Sequence, residues 1–308
     1  MNATFAEFDC YAEVIRNVEL DIQLLRPHER RWSIQQLEVG QLHVQHAVEG
    51  SGLLTRGAVT ADGWGLYLQV AGDPIPMNGK GLSHDAVALL PPRSEFCFSG
   101  QGKVEWYSLY VPSALIDATC ESSGQVPAAD VVAIPRDLLR RLSAELRVAS
   151  HSLEDGVPLD QAIRAQAAIE GRLVSTFIQI LDESTQGHSL PNHKKRIDRQ
   201  RVISTVIELV NDSDDGAYTV PELAETVGVS QRSLLSVFRE QLGVSPQEFL
   251  ISHRLHRARR SLLSASSSDM TVAAVAVQFG FFDLGRFATR YFGLFGESPS
   301  ATLRRKAR

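Results

Sequence analysis

The sequence has little cysteine: Cys10, Cys97 and Cys120 are the only three in 308 residues. An odd number at wide spacing supplies neither a disulfide framework nor a CxxC pair for zinc or redox chemistry. A reducing cytoplasm is the compartment this usage fits. Long apolar runs are also missing, and none reaches the ~18 residues of a membrane span. The start, MNATFAEFDCYAEVIRN, lacks the basic and apolar stretches of a secretory signal. GxSxG, P-loop and GxGxxG motifs are absent, which removes the best-marked hydrolase, nucleotide and dinucleotide classes. No enzymatic activity and no cofactor are expected. His43 and His46 are three apart on an expected strand and so point to opposite faces. The HxH…E…H pattern of metal-binding cupins is missing, and no metal site is expected.

The net charge of −5 is the wrong sign for a nucleic-acid binder, but it is unevenly distributed. Residues 192–308 carry 17 Lys and Arg against 12 Asp and Glu, whereas residues 1–191 carry 14 against 24. A basic unit attached to an acidic one fits a nucleic-acid-binding domain with a partner domain.

Residues from about 19 to 111 read as β, with alternating segments at Gln41–Val48, Trp64–Val70 and Val104–Val111. The turn-rich GDPIPMNGKG (72–81) and Pro91-Pro92 break the pattern. Many short strands suggest a barrel or sandwich. Asp137–Ser150 and Leu159–Leu181 then show helical spacing. In the second, Ile163, Ala167, Val174, Ile178 and Leu181 share one side, and Ile169, Leu173, Phe177 and Ile180 widen the apolar face. A face this wide packs on the chain's own strands, on a second copy, or on both. ESTQGHSLPNHKKR (183–196) is the expected interdomain linker.

An internal repeat occupies the last hundred residues. Leu223, Ala224, Val227 and Gly228 recur as Val275, Ala276, Phe279 and Gly280, 52 positions later. Beyond the turn the offset becomes 53, and Ser230, Leu234, Phe238, Leu242 and Gly243 match Asp283, Phe287, Tyr291, Phe295 and Gly296. Thr219-x-x-Glu222 is a capping box. Gly228 ends the helix in a left-handed conformation, and Ser230 caps the next helix. Two short helices on a tight glycine turn are a helix-turn-helix. Between the copies, Ser245-Pro246-Gln247-Glu248 starts a helix expected to run to about Leu263. At ~1.5 Å per residue that rod is roughly 27 Å long, near the ~34 Å between successive major grooves.

The segments VPELAETVGVSQRSLLSVFREQLGVSPQEFL, RLHRARRSLL and VAVQFGFFDLGRFATRYFGLFGESPSATLR resemble the AraC/XylS family of transcription regulators over roughly residues 198–304. The resemblance implies two helix-turn-helix subdomains on a long helix, binding to double-stranded DNA, contact with RNA polymerase and, usually, activation of nearby genes. It also implies an N-terminal effector-binding and dimerising domain. The expected fold class is α+β: a cupin-like β-barrel with a helical hairpin (residues 1–182), a linker (183–197), and an all-α DNA-binding domain (198–308) with motifs at about 219–242 and 271–295. The expected function is a homodimeric, effector-responsive activator of a catabolic operon. The alternatives are an enzyme fused to a helix-turn-helix unit, or a constitutive or repressing regulator.

Outward residues of a recognition helix read base edges while flanking arginines hold phosphates. In the first motif these are Gln231, Arg232, Leu235, Ser236 and Arg239; in the second, Leu284, Gly285, Arg286, Ala288, Thr289 and Arg290. The second helix has few long polar side chains, so Arg286 and Thr289 are its expected direct contacts, with Gly285 allowing close backbone approach. In the N-terminal domain His46, Trp64 and Trp106 are the candidates for contacting a small-molecule effector, with core filling as the plainer alternative for each.

Overall fold

The structure, a computed structural model, describes residues 1–50, 52–117, 129–151, 159–185, 199–213, 218–264 and 270–305. Cys120, and the expected linker from residue 186 onward, lie outside them. The chain divides into two compact units. One comprises Met1–Asp21, Arg31–Ser51 and Thr55–Lys194; the other comprises Ile22–Arg30, Gly52–Leu54 and Lys195–Arg308.

In chain order the first part carries β1 (Asn2–Phe5), α1 (Phe8–Ala12), β2 (Val18–Leu24), β3 (Trp32–Val39), β4 (Leu42–Glu49), β5 (Leu53–Val59) and β6 (Gly63–Ala71). There follow β7 (Ile75–Met77), β8 (Lys80–Leu82), β9 (Ala86–Leu90), β10 (Glu95–Gly100), β11 (Val104–Pro112), α2 (Ser113–Asp117), β12 (Asp130–Ala133), α3 (Arg136–His151) and α4 (Leu159–Thr185). The strands form a seven-stranded sheet, β1-β3-β4-β11-β6-β9-β12, and a five-stranded sheet, β2-β5-β10-β7-β8. These are two sheets and not the closed cupin-like barrel that the strand pattern suggested. Alternation fixes which face of a strand is buried, but not where a sheet ends. The stretch read as a turn-rich break also contributes: β7 pairs with β8, Ile75 opposite Leu82.

One face of the larger sheet lies under the helical hairpin. Leu37, Val39, Leu42, Val44, Leu66, Leu68, Leu109 and Val111 meet Leu138, Leu142 and Leu146 of α3 and Ile169, Leu173, Phe177 and Ile180 of α4 in one core. The buried row of α4 is therefore the one expected only to widen the face, and Ile163 is 58% exposed. A long helix can carry two adjacent apolar rows, and its packing partner selects between them. The β3–β4 hairpin is tied to α4 at Gly40 (φ +61°), where an added Cβ would overlap the Glu170 carboxylate. That carboxylate accepts the Gln41 N–H at 2.7 Å.

The second unit is helical: α5 (Arg199–Asp212), α6 (Val220–Thr226), α7 (Gln231–Leu242), α8 (Pro246–Ser264), α9 (Val272–Gln278), α10 (Leu284–Phe295) and α11 (Pro299–Arg305). The repeat extends to individual hydrogen bonds. Val229 N–H donates to Ala224 C=O at 2.9 Å, and Phe281 N–H to Ala276 C=O at 2.8 Å. Gly228 and Gly280 take the left-handed conformation, φ +70° and +77°. Leu223, Ala224, Leu234 and Phe238 are buried in the first copy, as are Val275, Ala276, Phe287 and Tyr291 in the second. Helix α8 serves both. Phe249 meets Phe238 edge-on at 5.5 Å, whereas Arg254 lies 5.4 Å from the Phe281 ring and Arg257 5.5 Å from the Phe279 ring. Arg259, only 3% exposed, pairs with Glu297 and lies 4.7 Å from the Phe295 ring. The short segment Ile22–Arg30 falls with this unit because the Leu24 peptide is hydrogen-bonded by the side chains of Ser252 and His256.

Two capping boxes start α6 and α8. Thr219 N–H donates to Glu222 Oε2 at 2.7 Å, and Ser245 N–H to Glu248 Oε2 at 2.7 Å. These backbone bonds hold both carboxyls below the ordinary glutamate value. A lowered folded-state value means that the stabilisation is present at neutral pH and is lost as pH falls through that value. The double variant Glu222→Gln/Glu248→Gln should therefore lose less Tm than the wild type between pH 7 and pH 3. Thermal melts of the full chain across that range check it, and parallel Tm profiles would contradict it.

Candidate nucleic-acid interface

Helix α7 begins at Ser230, whose Oγ accepts the Ser233 N–H at 3.1 Å, and ends at the left-handed Gly243. Helix α10 begins at Asp283, whose Oδ1 accepts the Arg286 N–H at 2.9 Å, and ends at the left-handed Gly296. Each helix is fixed at both ends and held along one side by its buried row. The opposite side is then the one available to a partner.

The expected readers occupy that side. Gln231, Arg232, Ser236 and Arg239 are exposed on α7, and Leu235 is half-buried. Leu284, Gly285, Arg286, Ala288, Thr289 and Arg290 are exposed on α10. Some are engaged locally. The Ser236 hydroxyl donates to Glu240 at 2.9 Å, and the Thr289 hydroxyl donates to the Gly285 carbonyl at 3.0 Å. Arg286 pairs with Asp283 at 3.3 Å. An exposed pair of this kind contributes about 0–1 kcal/mol, so Arg286 can be released at little cost. A Cβ at Gly285 would make only ordinary contact with Asp283, so the local fold does not require glycine there. The arginines of α8 divide differently: Arg254, Arg257 and Arg259 are spent on aromatic rings and buried partners. Burial and the neighbouring Arg290 guanidinium hold Arg254 below the usual arginine range. An anion beside that pair would relieve the repulsion.

One surface residue was not singled out by pattern. Phe282, 83% exposed, follows the Phe281 N–H that closes the second turn and precedes the cap Asp283. It is the residue by which the repeat offset grows from 52 to 53. The offset change was its signal. With Leu284, Val277 and Phe292 also exposed, the second motif carries more apolar surface than the first.

The three N-terminal candidates do not converge. His46 and Trp64 lie on the helix-covered face of the large sheet and Trp106 on the opposite face, as strand alternation requires. His46 Nε2 is 2.9 Å from Glu105 Oε1, and its ring stacks on Tyr107 at 4.3 Å. Trp64 packs edge-on against Phe177 at 6.3 Å. Trp106 is buried beside the Glu49 carboxyl and the Tyr11 hydroxyl. Near His46 a groove of about 430 Å³ opens between sheet and α3, lined by Leu68, Tyr107, Leu139, Arg140 and Arg147 among others. Among the described residues no group of three His, Cys, Asp or Glu is placed to hold a metal ion. No described helix is long and apolar enough to cross a membrane.

Two capped helix-turn-helix units on a shared helix define a tandem DNA-binding domain of the transcription-regulator class. Residues 223–305 match the family described as a helix-turn-helix domain. The chain is 24% identical over 233 residues to "XylDLEGF operon transcriptional activator 3" of Pseudomonas putida, covering 74% of this chain and 69% of that protein. It is 43% identical over 86 residues to the "Probable thc operon regulatory protein" of Rhodococcus erythropolis, covering 28% of this chain and 26% of that protein. The crystal structure of a probable AraC family transcriptional regulator from Rhodopseudomonas palustris is 33% identical, covers 34% of this chain and 97% of that one, and has a TM-score of 0.33. Residues 223–305 form an AraC-type helix-turn-helix domain, and the chain is similar to AraC/XylS transcription regulators.

Arg232→Ala and Arg286→Ala should each weaken specific operator binding by about 1–3 kcal/mol. Anisotropy titrations against the operator and a scrambled duplex measure this; unchanged affinity for both variants would refute the assigned roles.

Proposed function

We propose that this regulator is an effector-responsive activator that binds double-stranded DNA as a homodimer in the cytoplasm and acts on RNA polymerase at a catabolic operon. The carrying observation is the pair of exposed faces on α7 and α10, fixed on one helix and accompanied by a net positive charge. Base discrimination rests on Arg232, Arg286 and Thr289. Gln231, Leu235, Ser236, Arg239, Leu284, Gly285 and Arg290 shape the contact and add phosphate affinity. The printed description of the Pseudomonas putida relative as an operon activator supports the direction of control.

The N-terminal unit is suited to sensing because a groove of about 430 Å³ opens between its larger sheet and the packed helical hairpin. A ligand that favours one arrangement of that unit would bias how the DNA-binding unit is presented. The reading predicts a steep loss of DNA affinity with added salt, because counterions are released from the phosphates that are contacted. Titrating the full chain against duplex DNA at about 50 and 200 mM salt tests this. A flat salt response would remove DNA binding from the proposal. A promoter reporter whose output does not change when the gene is deleted would remove activation.

A further inference from the structure

The two recognition helices present different chemistry at matching positions. On α7 the outermost stripe is Arg232, Ser236 and Arg239, and Gln231 opens the helix. With the offset of 53, the same places on α10 hold Gly285, Thr289 and Phe292, and Leu284 opens the helix. Each of these residues is exposed, on the side opposite the buried rows Leu234 and Phe238 or Phe287 and Tyr291. Phe282 stands just before the Asp283 cap and has no counterpart in the first motif. Among the described residues it is the most exposed large apolar side chain.

The local fold does not ask for this surface. A Cβ at Gly285 would make only ordinary contact, yet glycine weakens a helix. What it gains there is room for a partner to come close. The Thr289 hydroxyl is committed to the Gly285 carbonyl, which leaves its methyl as the group Thr289 can offer. Neighbouring exposed apolar groups of this kind mark an interaction site. The charge around them narrows the partner. Between Thr271 and Phe295 the charged residues are Asp283, Arg286 and Arg290. The one carboxylate is taken up as helix cap and as partner of Arg286. Arg286 and Arg290, four residues apart, therefore border the apolar stripe with net positive charge. A surface that is apolar at its centre and anionic at its edges fits this face. The major groove over thymines is such a surface: C5-methyl groups project from the base edges, and phosphates line the rims.

We propose that the second motif reads thymine methyl groups, with Phe282, Leu284 and the Thr289 methyl resting against them at the N-terminal end of α10 and Gly285 letting the helix sit close to the bases. Arg286 and Arg290 hold this apolar face to the anionic duplex. The proposal rests on the DNA-binding reading above and adds which base the second half of the site prefers. The first motif, with Gln231, Arg232 and Arg239 at the corresponding places, reads by hydrogen bonds and charge. One chain thus carries two modes of base recognition on one backbone design.

The test selects duplexes from a library with a randomised core on the full chain. The enriched duplex is then resynthesised with deoxyuridine in place of thymidine, one position at a time. That change removes the methyl and leaves the pairing edge intact. Burying one methyl changes a binding constant about fourfold, so losses of that size are expected at thymidines of one half-site. The double variant Phe282→Ala/Leu284→Ala should bind the thymidine duplex several-fold more weakly and lose the penalty for deoxyuridine in that half-site. Arg232→Ala should keep the penalty. Circular dichroism and Tm of the double variant should match the wild type, because both side chains are exposed. A selected duplex that binds equally well with deoxyuridine at every position overturns the proposal, as does a double variant that still discriminates. So does a double variant with wild-type DNA affinity that no longer activates a reporter, which would assign the patch to RNA polymerase. Failure to select any duplex removes the DNA-binding reading itself, and this proposal with it.

Discussion

Neither helix-turn-helix can bury its own inner face. Helices α6 and α9 are seven residues each, well below the length at which an isolated helix persists in water. Their stability comes from a wall supplied by α8, which buries Phe249, Leu250, Leu255, Ala258 and Leu262 around much of its circumference. The first motif closes on its N-terminal half through Phe238 and Phe249. The second closes on its C-terminal half through three arginines over aromatic rings. Burying a Phe or Leu fully is worth ~1.5–3 kcal/mol, so a few such contacts outweigh the intrinsic instability of each short helix. The exposed faces of α7 and α10 are aimed only because this shared wall is present.

The two copies meet the same backbone demand with different side chains. Both turns close with the same hydrogen bond and a left-handed glycine. The first caps its recognition helix with Ser230, the second with Asp283, whose carboxylate also holds Arg286. The second turn accommodates one more residue, and Phe282 projects from it. Sharing a fold has not forced the copies to share a reading surface: α7 presents long polar side chains, α10 mostly small and apolar ones.

Much of the helical unit was legible in the sequence because its signals are local. Capping boxes, glycine positions and the four-residue spacing of Leu234 and Phe238 each fix a boundary or a face without reference to distant residues. The N-terminal unit was less legible. Strands β4, β6 and β11 showed in the alternation, but which strands share a sheet depends on pairings such as β3 with β4 and β11 with β6 that alternation does not encode. The same gap explains the effector candidates. Residue type alone marks His46, Trp64 and Trp106, and the sheet turns Trp106 to the side opposite the other two. Glu49, a carboxylate at the end of a strand, reads as surface in the sequence; only the fold brings Tyr11 from another element to meet it.

Helix α8 also acts as an angular gauge. Its 19 residues form a continuous α-helix, in which each residue turns the chain by ~100° and advances it by ~1.5 Å. Substitutions along its exposed positions leave the phase between the two recognition helices untouched, whereas a single inserted or deleted residue would rotate one motif about a quarter turn away from the other. The relative aim of the two motifs is therefore far more sensitive to length in this segment than to composition. Regulators built on such a helix are free to drift in what they read, but not in how far apart, or in which direction, they read it.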